Sequence, residues 1–412
     1  MKTIFIVNQF ANTPDLPGHT RQFELAIGLQ KKGWNVEVFS SDFNLSERIF
    51  KKLNQFQLFK FEQINRINWF WIRVLPYKKN NIFRYLNIFS FCINVSLLLI
   101  YRILNNKINP NNKIVILASS PQLPATFFCL LVAKLFGVPF LSEIRDLWPQ
   151  VLIDLGGKSP NSLLIRFLSL LEKKIYELSN HVIVLAKGSI EYVKERGAKT
   201  ISFLPNGSDL KHFKYYDLNP EKNGFSNKRP FTLIYYGAHG EANGLENIIE
   251  AAKKLKNKPI KFMLVGDGPE KISLIKKSIN LENIVFLPTI SKEKMPELIS
   301  KCDAVIITLK DIPLFKYGVS PNKLYDAYAI GRPVISNVGG YIGEEISHYK
   351  IGFDAYSKSQ NLLSDSITKL MNISKEERQK MSKRARELAE KTYSREIIVS
   401  KYDSLLNKYI SK

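Results

Sequence analysis

Residues 319–335, Val319-Ser320-Pro321-Asn322-Lys323-Leu324-Tyr325-Asp326-Ala327-Tyr328-Ala329-Ile330-Gly331-Arg332-Pro333-Val334-Ile335, read as a loop, a helix and a strand in succession. Ser320 suits the N-cap and Pro321 the first helical position, so Asn322 and its neighbours would present backbone N–H groups and the positive end of the helix dipole to the loop. Such a terminus is an anion site. Lys323, one turn in, can add a point charge to a bound diphosphate, and Asp326, a turn further, can accept hydrogen bonds from ribose hydroxyls. An ordinary capped helix with a solvated lysine would carry the same residues, so the segment alone leaves both readings open.

Two further stretches carry candidate chemistry. Asp146 closes a predicted strand, where it can orient an acceptor hydroxyl or take its proton. The adjacent Arg145 cannot act as a base at neutral pH but can hold a phosphate; the alternative is a structural ion pair beside Trp148. The loop from Asn8 to Thr20 ends in Gly18-His19-Thr20-Arg21 ahead of a helix. Gly18 permits close backbone approach, and His19 and Arg21 are candidate acceptor or phosphate contacts; the bland reading is a plain strand-to-helix loop. No H-x-x-x-H, His/Cys cluster or D-x-D run points to a metal.

The elements that must position these residues alternate. Candidate strands are Thr3 to Val7, Val36 to Ser40, Ile114 to Ala118, Pro139 to Glu143, His181 to Leu185 and Thr200 to Phe203, with helix-like spacing between them, as at Phe23, Ala26 and Ile27. The series restarts after the polar stretch 217–229 with Phe231 to Tyr236, Lys261 to Val265, Ile284 to Leu287, Ala304 to Leu309 and Pro333 to Ser336. This pattern predicts two doubly wound α/β domains, with ligands bound at the carboxyl ends of their strands. A charged helical tail follows from about 375 to 410. At 412 residues, 45% apolar and 24% charged, the chain is long enough for two cores and too apolar to be largely disordered.

Three widely spaced cysteines exclude a disulfide framework and predict a reducing compartment. Met1-Lys2-Thr3 leads straight into an apolar run without the pattern of an export signal, so a cytoplasmic location is expected. The net charge is +23. Between 48 and 113 lie twelve Lys or Arg against one acid, Glu62, interleaved with Trp69, Phe70 and Trp71. This segment is read either as a surface for an anionic membrane or as a solvated basic face. Within it, Tyr85 to Tyr101 carries no charge; Asn87, Ser90, Asn94 and Ser96 punctuate the run, which favours a buried or amphipathic helix over a membrane span. No recognition helix or zinc finger supports nucleic-acid binding.

The 319–335 segment resembles the nucleotide-sugar motif of the family 4 retaining glycosyltransferases of the GT-B fold, in which a Glu-x7-Glu pair precedes an A-x-G-x-P-V-I strand. Val265-Gly266-Asp267-Gly268-Pro269-Glu270 is similar to the family's V-G-x-G-P turn, and Leu204-Pro205-Asn206-Gly207-Ser208-Asp209 with Phe213 to its I-P-N-G-V-D-x-x-x-F junction. Glu143-Ile144-Arg145-Asp146-Leu147-Trp148-Pro149 resembles the R-D-L-W-P stretch of an O-antigen and capsule subgroup that includes fucosamine transferases.

The resemblance implies an acceptor domain over 1–210, a nucleotide-sugar domain over 211–392, and a helix over 393–412 that crosses back, with the two domains facing across a cleft. It implies metal-independent, retaining transfer from a UDP-sugar to a lipid-linked or saccharide acceptor, at the inner face of the plasma membrane. It assigns Asp146, Arg145 and His19 as catalytic candidates and Gly18, Gly237, Ser320, Asn322, Lys323 and Asp326 as donor-binding candidates. Three departures stand out. Gly318 and Asp326 occupy the two glutamate positions, Gly237 to Gly244 lacks the family's Arg and Lys clamp, and Arg145 stands where relatives carry a histidine. A sugar-nucleotide epimerase of the same architecture, or a basic nucleic-acid-binding protein, are the competing readings.

Overall fold

The computed structural model describes residues 1–16, 20–44, 47–79, 81–218, 229–356 and 362–411. The chain divides into two compact units, Met1–Leu204 with Val399–Lys412, and Pro205–Ile398.

The first unit contains β1 (Lys2–Val7), α1 (Arg21–Lys31), β2 (Asn35–Ser41), β3 (Phe59–Ile64), β4 (Ile67–Ile72), α2 (Ile82–Lys107), β5 (Lys113–Ser119), α3 (Leu123–Leu135), β6 (Phe140–Ile144), α4 (Gln150–Asp154), α5 (Leu163–Leu178), β7 (His181–Val184), α6 (Ser189–Glu195) and β8 (Ile201–Phe203). The strands run β3-β4-β2-β1-β5-β6-β7-β8, parallel except for β3, which pairs antiparallel with β4 at the edge. Central strands such as β1 and β5 are buried along nearly their whole length, which is why they read as unbroken apolar runs rather than alternating ones. Successive connections leave β1 in opposite directions, so the strand order reverses between β1 and β5. Right-handed crossovers therefore put α1 on one face and α2, α3 and α5 on the other, where α2 packs on α3 and α3 on α5.

The β3–β4 hairpin corrects the expectation for the basic stretch. Trp69 and Trp71 are fully buried and Phe70 nearly so. The Trp69 indole donates to the Ser40 hydroxyl at 2.8 Å and that of Trp71 to Glu62 at 2.8 Å. These aromatics belong to the sheet's core and do not interleave a surface. The apolar run is helix α2, which buries one stripe and leaves the other exposed.

The second unit contains β9 (Phe231–Tyr236), α7 (Glu246–Lys254), β10 (Ile260–Val265), α8 (Lys271–Lys277), β11 (Ile284–Leu287), α9 (Met295–Ser300), β12 (Ala304–Ile307), α10 (Asn322–Ile330), β13 (Val334–Ser336), α11 (Gly340–His348), β14 (Gly352–Asp354), α12 (Leu362–Asn372), α13 (Lys375–Leu388) and the start of α14 (Arg395–Ile410). Its sheet is parallel in the order β11-β10-β9-β12-β13-β14, reversing between β9 and β12. The linker reading of 217–229 falls largely outside the described residues.

From Val399 onward α14 groups with the first unit. Tyr402 is the residue that ties it down. Arg21 donates to the Tyr402 hydroxyl at 3.0 Å, and that hydroxyl donates to Glu143 at 2.5 Å. The Arg21 guanidinium meets Glu143 at 2.9 Å, and Ser119 donates to the same carboxylate at 2.8 Å. Burial would raise the Glu143 carboxyl, but the charge and hydrogen bonds of Arg21, with the Tyr402 hydroxyl, outweigh it and hold it down at about 2. The folded pKa thus lies below the unfolded one. The pair's contribution is present above the ordinary carboxylate range and is lost as pH falls toward 2. Tyr402→Phe is expected to lower the unfolding free energy of the chain in urea by about 2 kcal/mol, and a loss under about 0.5 kcal/mol would remove Tyr402 from this role.

Candidate functional site

In an open parallel sheet, ligands settle outside the carboxyl ends of the strands where the order reverses. In the second unit those ends belong to β9 and β12, and the donor-site candidates Gly237 and Lys323 meet there. The turn after β9 and the turn after β10 are pressed together. Gly237 N–H donates to the Val265 carbonyl at 3.0 Å, His239 N–H to Asp267 at 2.8 Å, and Glu270 N–H to His239 at 3.0 Å. A Cβ on Gly266 would stand 1.9 Å from the Gly237 carbonyl oxygen. The V-G-D-G-P motif is therefore a packing requirement, because backbone occupies the space a side chain would need.

Lys323 lies over this turn. Its Nζ sits 3.9 Å from the centre of the Tyr235 ring, a Cβ on Gly237 would lie 3.5 Å from it, and Tyr236 donates its hydroxyl to the Lys323 carbonyl at 3.0 Å. Burial pushes the ammonium down to about 7, the direction expected of a desolvated cation. An arriving anion would reverse that shift. Asn322, beside it, is exposed at the first position of α10.

Ser320 is not the cap. Helix α10 starts at Asn322 with the extended Pro321 as its N-cap and no side-chain cap bond. The Ser320 hydroxyl instead shares a 2.9 Å hydrogen bond with the Tyr325 hydroxyl, and its carbonyl accepts from the Asn206 side chain at 2.7 Å. Pro321 takes the cap position in extended conformation, and Ser320, one residue outside the helix, braces the loop from the side. Asp326 accepts the Ser208 hydroxyl at 2.7 Å, Asp209 pairs with Arg395 at 3.1 Å, and a Cβ on Gly207 would lie 2.6 Å from the Tyr393 carbonyl oxygen. The P-N-G-S-D junction is thus a clamp on the loop and first turns of α10. Gly318, at φ 83, leads into that loop without a side chain.

Sequence reasoning missed His239 and Thr308. Both are fully buried, and neither the His239 ring nitrogens nor the Thr308 hydroxyl make a well-formed hydrogen bond. They follow β9 and β12, on the two sides of the reversal. Buried polar atoms are nearly always paired, and these two residues stand unpaired beside the reversal; Asn206, Arg229, Asn283 and Arg332 each leave one side-chain atom unpaired elsewhere in the second unit. Burial and then the charges of Lys271 and Lys323 keep the His239 imidazole below its usual range, against the pull of Asp267 and the Val265 backbone.

In the first unit the reversal lies between β1 and β5. Gly18 and His19 fall outside the described residues. Arg21 is committed to Glu143 and Tyr402 and is not a free acceptor or phosphate contact. Arg145 is half-buried, and its backbone N–H donates to the Ser120 hydroxyl at 2.9 Å; burial lowers its pKa from the ordinary guanidinium value. Asp146 is exposed. The residues given no role from the sequence are Glu143, which closes the expected strand, and Asn8, Gln9 and Gln22. The last three are buried, each with one side-chain polar atom unpaired, Asn8 Nδ2, Gln9 Oε1 and Gln22 Oε1. A glutamate inside an apolar strand was the available signal.

Comparison with known proteins follows the same division. The chain is 28% identical over 232 residues to the putative colanic acid biosynthesis glycosyl transferase WcaI of Escherichia coli K12, covering 52% of this chain and 56% of that one. The chain thus spans little more than half the length of this curated relative. A sucrose-phosphate synthase from Thermosynechococcus elongatus superposes with a TM-score of 0.73 at 15% identity over 100% of both chains. The Anabaena HepE structure in complex with UDP does so at 0.68 and 15%, covering 99% of this chain and 100% of that one. These likenesses establish the GT-B fold for the two α/β units. Residues 218–388 match the family described as Glycosyl transferases group 1, a match that lies within the second unit of a chain with the GT-B fold.

Proposed function

We propose that this chain transfers a sugar from a UDP-sugar to a lipid-linked or saccharide acceptor in bacterial surface polysaccharide synthesis, with retention of anomeric configuration and without a metal ion. The observation that carries the proposal is the meeting, at the carboxyl ends of β9 and β12, of the Gly237 turn, the uncapped start of α10 and the Lys323 ammonium. Departure of UDP builds negative charge on its β-phosphate, and a helix terminus with a lysine, already in place, stabilises that charge without reorganisation. Lys323 stands in for the Arg and Lys that relatives place after β9. Asp326, fixed by Ser208, is positioned to accept from ribose. On the acceptor side, Asp146 is exposed beside Arg145, with Glu143 and Arg21 as the buried frame beneath. The likeness to WcaI supports a polysaccharide product, and that to HepE supports UDP. The Glu143 to Pro149 stretch supports an N-acetylated deoxyhexosamine such as N-acetylfucosamine as the donor sugar. The reading also implies a cytoplasmic enzyme peripheral to the inner face of the plasma membrane, where a lipid-linked acceptor would be met.

Calorimetric titration with UDP, GDP and ADP tests this directly. Selective UDP binding is expected, weakened roughly 10- to 100-fold in Lys323→Ala, the scale of one charged hydrogen bond; unchanged affinity in that variant would overturn the role given to Lys323.

A pH dependence follows with a definite sign. The free lysine titrates at about 7 and the diphosphate raises it, so above pH 7 binding must take up a proton. UDP affinity is expected to fall by up to about tenfold per pH unit there, with a buffer-dependent binding enthalpy. Lys323→Arg, which stays charged, is expected to show neither effect, and a flat profile in the unsubstituted protein would contradict the assignment. Transfer from a UDP-sugar is further expected to continue in EDTA; its abolition there would refute metal independence.

A further inference from the structure

We infer that the outer face of helices α2, α3 and α5 is a bilayer-docking surface that lies in the interface of an anionic membrane. The inference deepens the peripheral location proposed above, but it stands on the first unit alone and does not depend on which nucleotide the second unit binds. It also moves the contact. The tryptophans of β4 are core, so the surface lies on the helices that cover that side of the sheet.

Helix α2 is apolar on two sides. Its inner stripe, Phe91, Cys92, Val95, Leu99 and Ile103, is fully buried. Its outer stripe, Ile82, Leu86, Phe89, Ile93, Leu97, Tyr101 and Leu104, recurs every three or four residues and is exposed, Phe89 by 53% and Leu97 by 58%. The polar residues that punctuate the sequence do not break this stripe, because they turn inward or back onto the helix. Asn87 accepts from Gln9 at 2.9 Å and donates to the Leu75 carbonyl at 2.7 Å. Asn94 donates to the Arg73 carbonyl at 2.9 Å, Ser90 to Asn87 at 2.8 Å and Ser96 to Cys92 at 2.7 Å. What faces outward is the hydrocarbon that is left.

The next two helices continue the face. Phe89 of α2 meets Phe128 of α3 edge-on at 6.3 Å. Leu135 of α3 is 75% exposed, and Leu163, Phe167 and Leu170 of α5 stand out at helical spacing, Phe167 by 55%. Exposed apolar area on this scale marks an interaction surface. The charges on these helices select the partner. They carry seven Lys or Arg and two acids. Of the acids, Glu172 is buried against Tyr176 and Arg196, while Glu177 is paired with Lys174 at 2.9 Å. Exposed Lys134 and Arg166, with Lys173 and Lys174 sharing the single carboxylate of Glu177, therefore leave the rim of the apolar face net positive, the composition of a helix surface that rests on anionic lipid.

A span is a different matter. Among the described residues α2 is long and apolar enough to cross a bilayer, but its inner stripe is core and its Arg102 is bound to the buried Glu37 at 2.9 Å. Crossing would pull both out of the first unit, so α2 lies in the plane of the interface.

Flotation of the full chain with vesicles of phosphatidylglycerol and phosphatidylethanolamine, and with phosphatidylcholine vesicles, tests the surface. The variants are Phe89→Ser/Leu97→Ser/Phe167→Ser, all at exposed positions, and Lys134→Ala/Arg166→Ala/Lys173→Ala. The unsubstituted chain is expected to float with the anionic vesicles. The apolar triple variant should lose about tenfold or more in partitioning at any salt, and the basic triple variant chiefly at low salt. Melting temperature and UDP titration, unchanged in the apolar variant, separate lost docking from lost folding and from failure of the nucleotide reading. Failure of the unsubstituted chain to float, or equal flotation of the apolar variant, would overturn the inference. So would a concentration-dependent dimer in light scattering that the apolar substitutions abolish without vesicle binding, which would assign the face to a second copy.

Discussion

The constraint on which the second unit depends is the reversal of strand order between β9 and β12. A parallel sheet wound in both directions from one strand must leave a crevice there, since neither neighbouring connection passes over it. Here the turns that border it meet backbone to backbone. The turns after β9 and β10 touch through glycine, the loop before α10 is held from the side by Asn206 and Ser320, and the end of α10 that opens onto it has no side-chain cap. The polar side chains that stand beside it, Lys323, His239 and Thr308, are incompletely paired. A protein interior tolerates few such atoms. A charge and unmet hydrogen-bonding capacity standing together beside the reversal distinguish a binding crevice from an ordinary helix start.

Lys323 and Glu143 are two outcomes of the same physics. Both are charges taken out of water, and burial opposes charge in each. Glu143 has Arg21 and Tyr402 against it and stays ionised far into acid. Lys323 has the face of Tyr235 and loses its proton near neutrality. One group is satisfied within the protein and so serves the fold, while the other remains unsatisfied until something negative arrives.

Most of the strands could be read from the residues because central parallel strands are uniformly apolar, and the positions of the glycine turns fixed their ends. The β3–β4 hairpin was not legible as such. Its charges sit at the edge strand while Trp69 and Trp71 point into the core, and charge counting along a segment averages over that alternation. The cap was misplaced by one residue because proline suits the cap position as well as the first helical one. At Asp326 the sequence showed a carboxylate one turn beyond a lysine, but its dependence on Ser208, 118 positions earlier, comes from tertiary structure. The unpaired state of His239 is of the same kind, since a lone histidine in a glycine-rich turn carries no sign of its surroundings.

Helix α14 has a consequence for how the molecule comes into being. The first unit is discontinuous, with Glu143 and Arg21 set down early and Tyr402 supplied only after the whole second unit has been made. During synthesis the early residues must wait, their buried carboxylate and guanidinium lacking the hydroxyl that completes them, while roughly two hundred further residues are added at the pace of translation. The second unit, by contrast, is continuous from Pro205 to Ile398. The later-made half can therefore close first, and the earlier-made half is finished last.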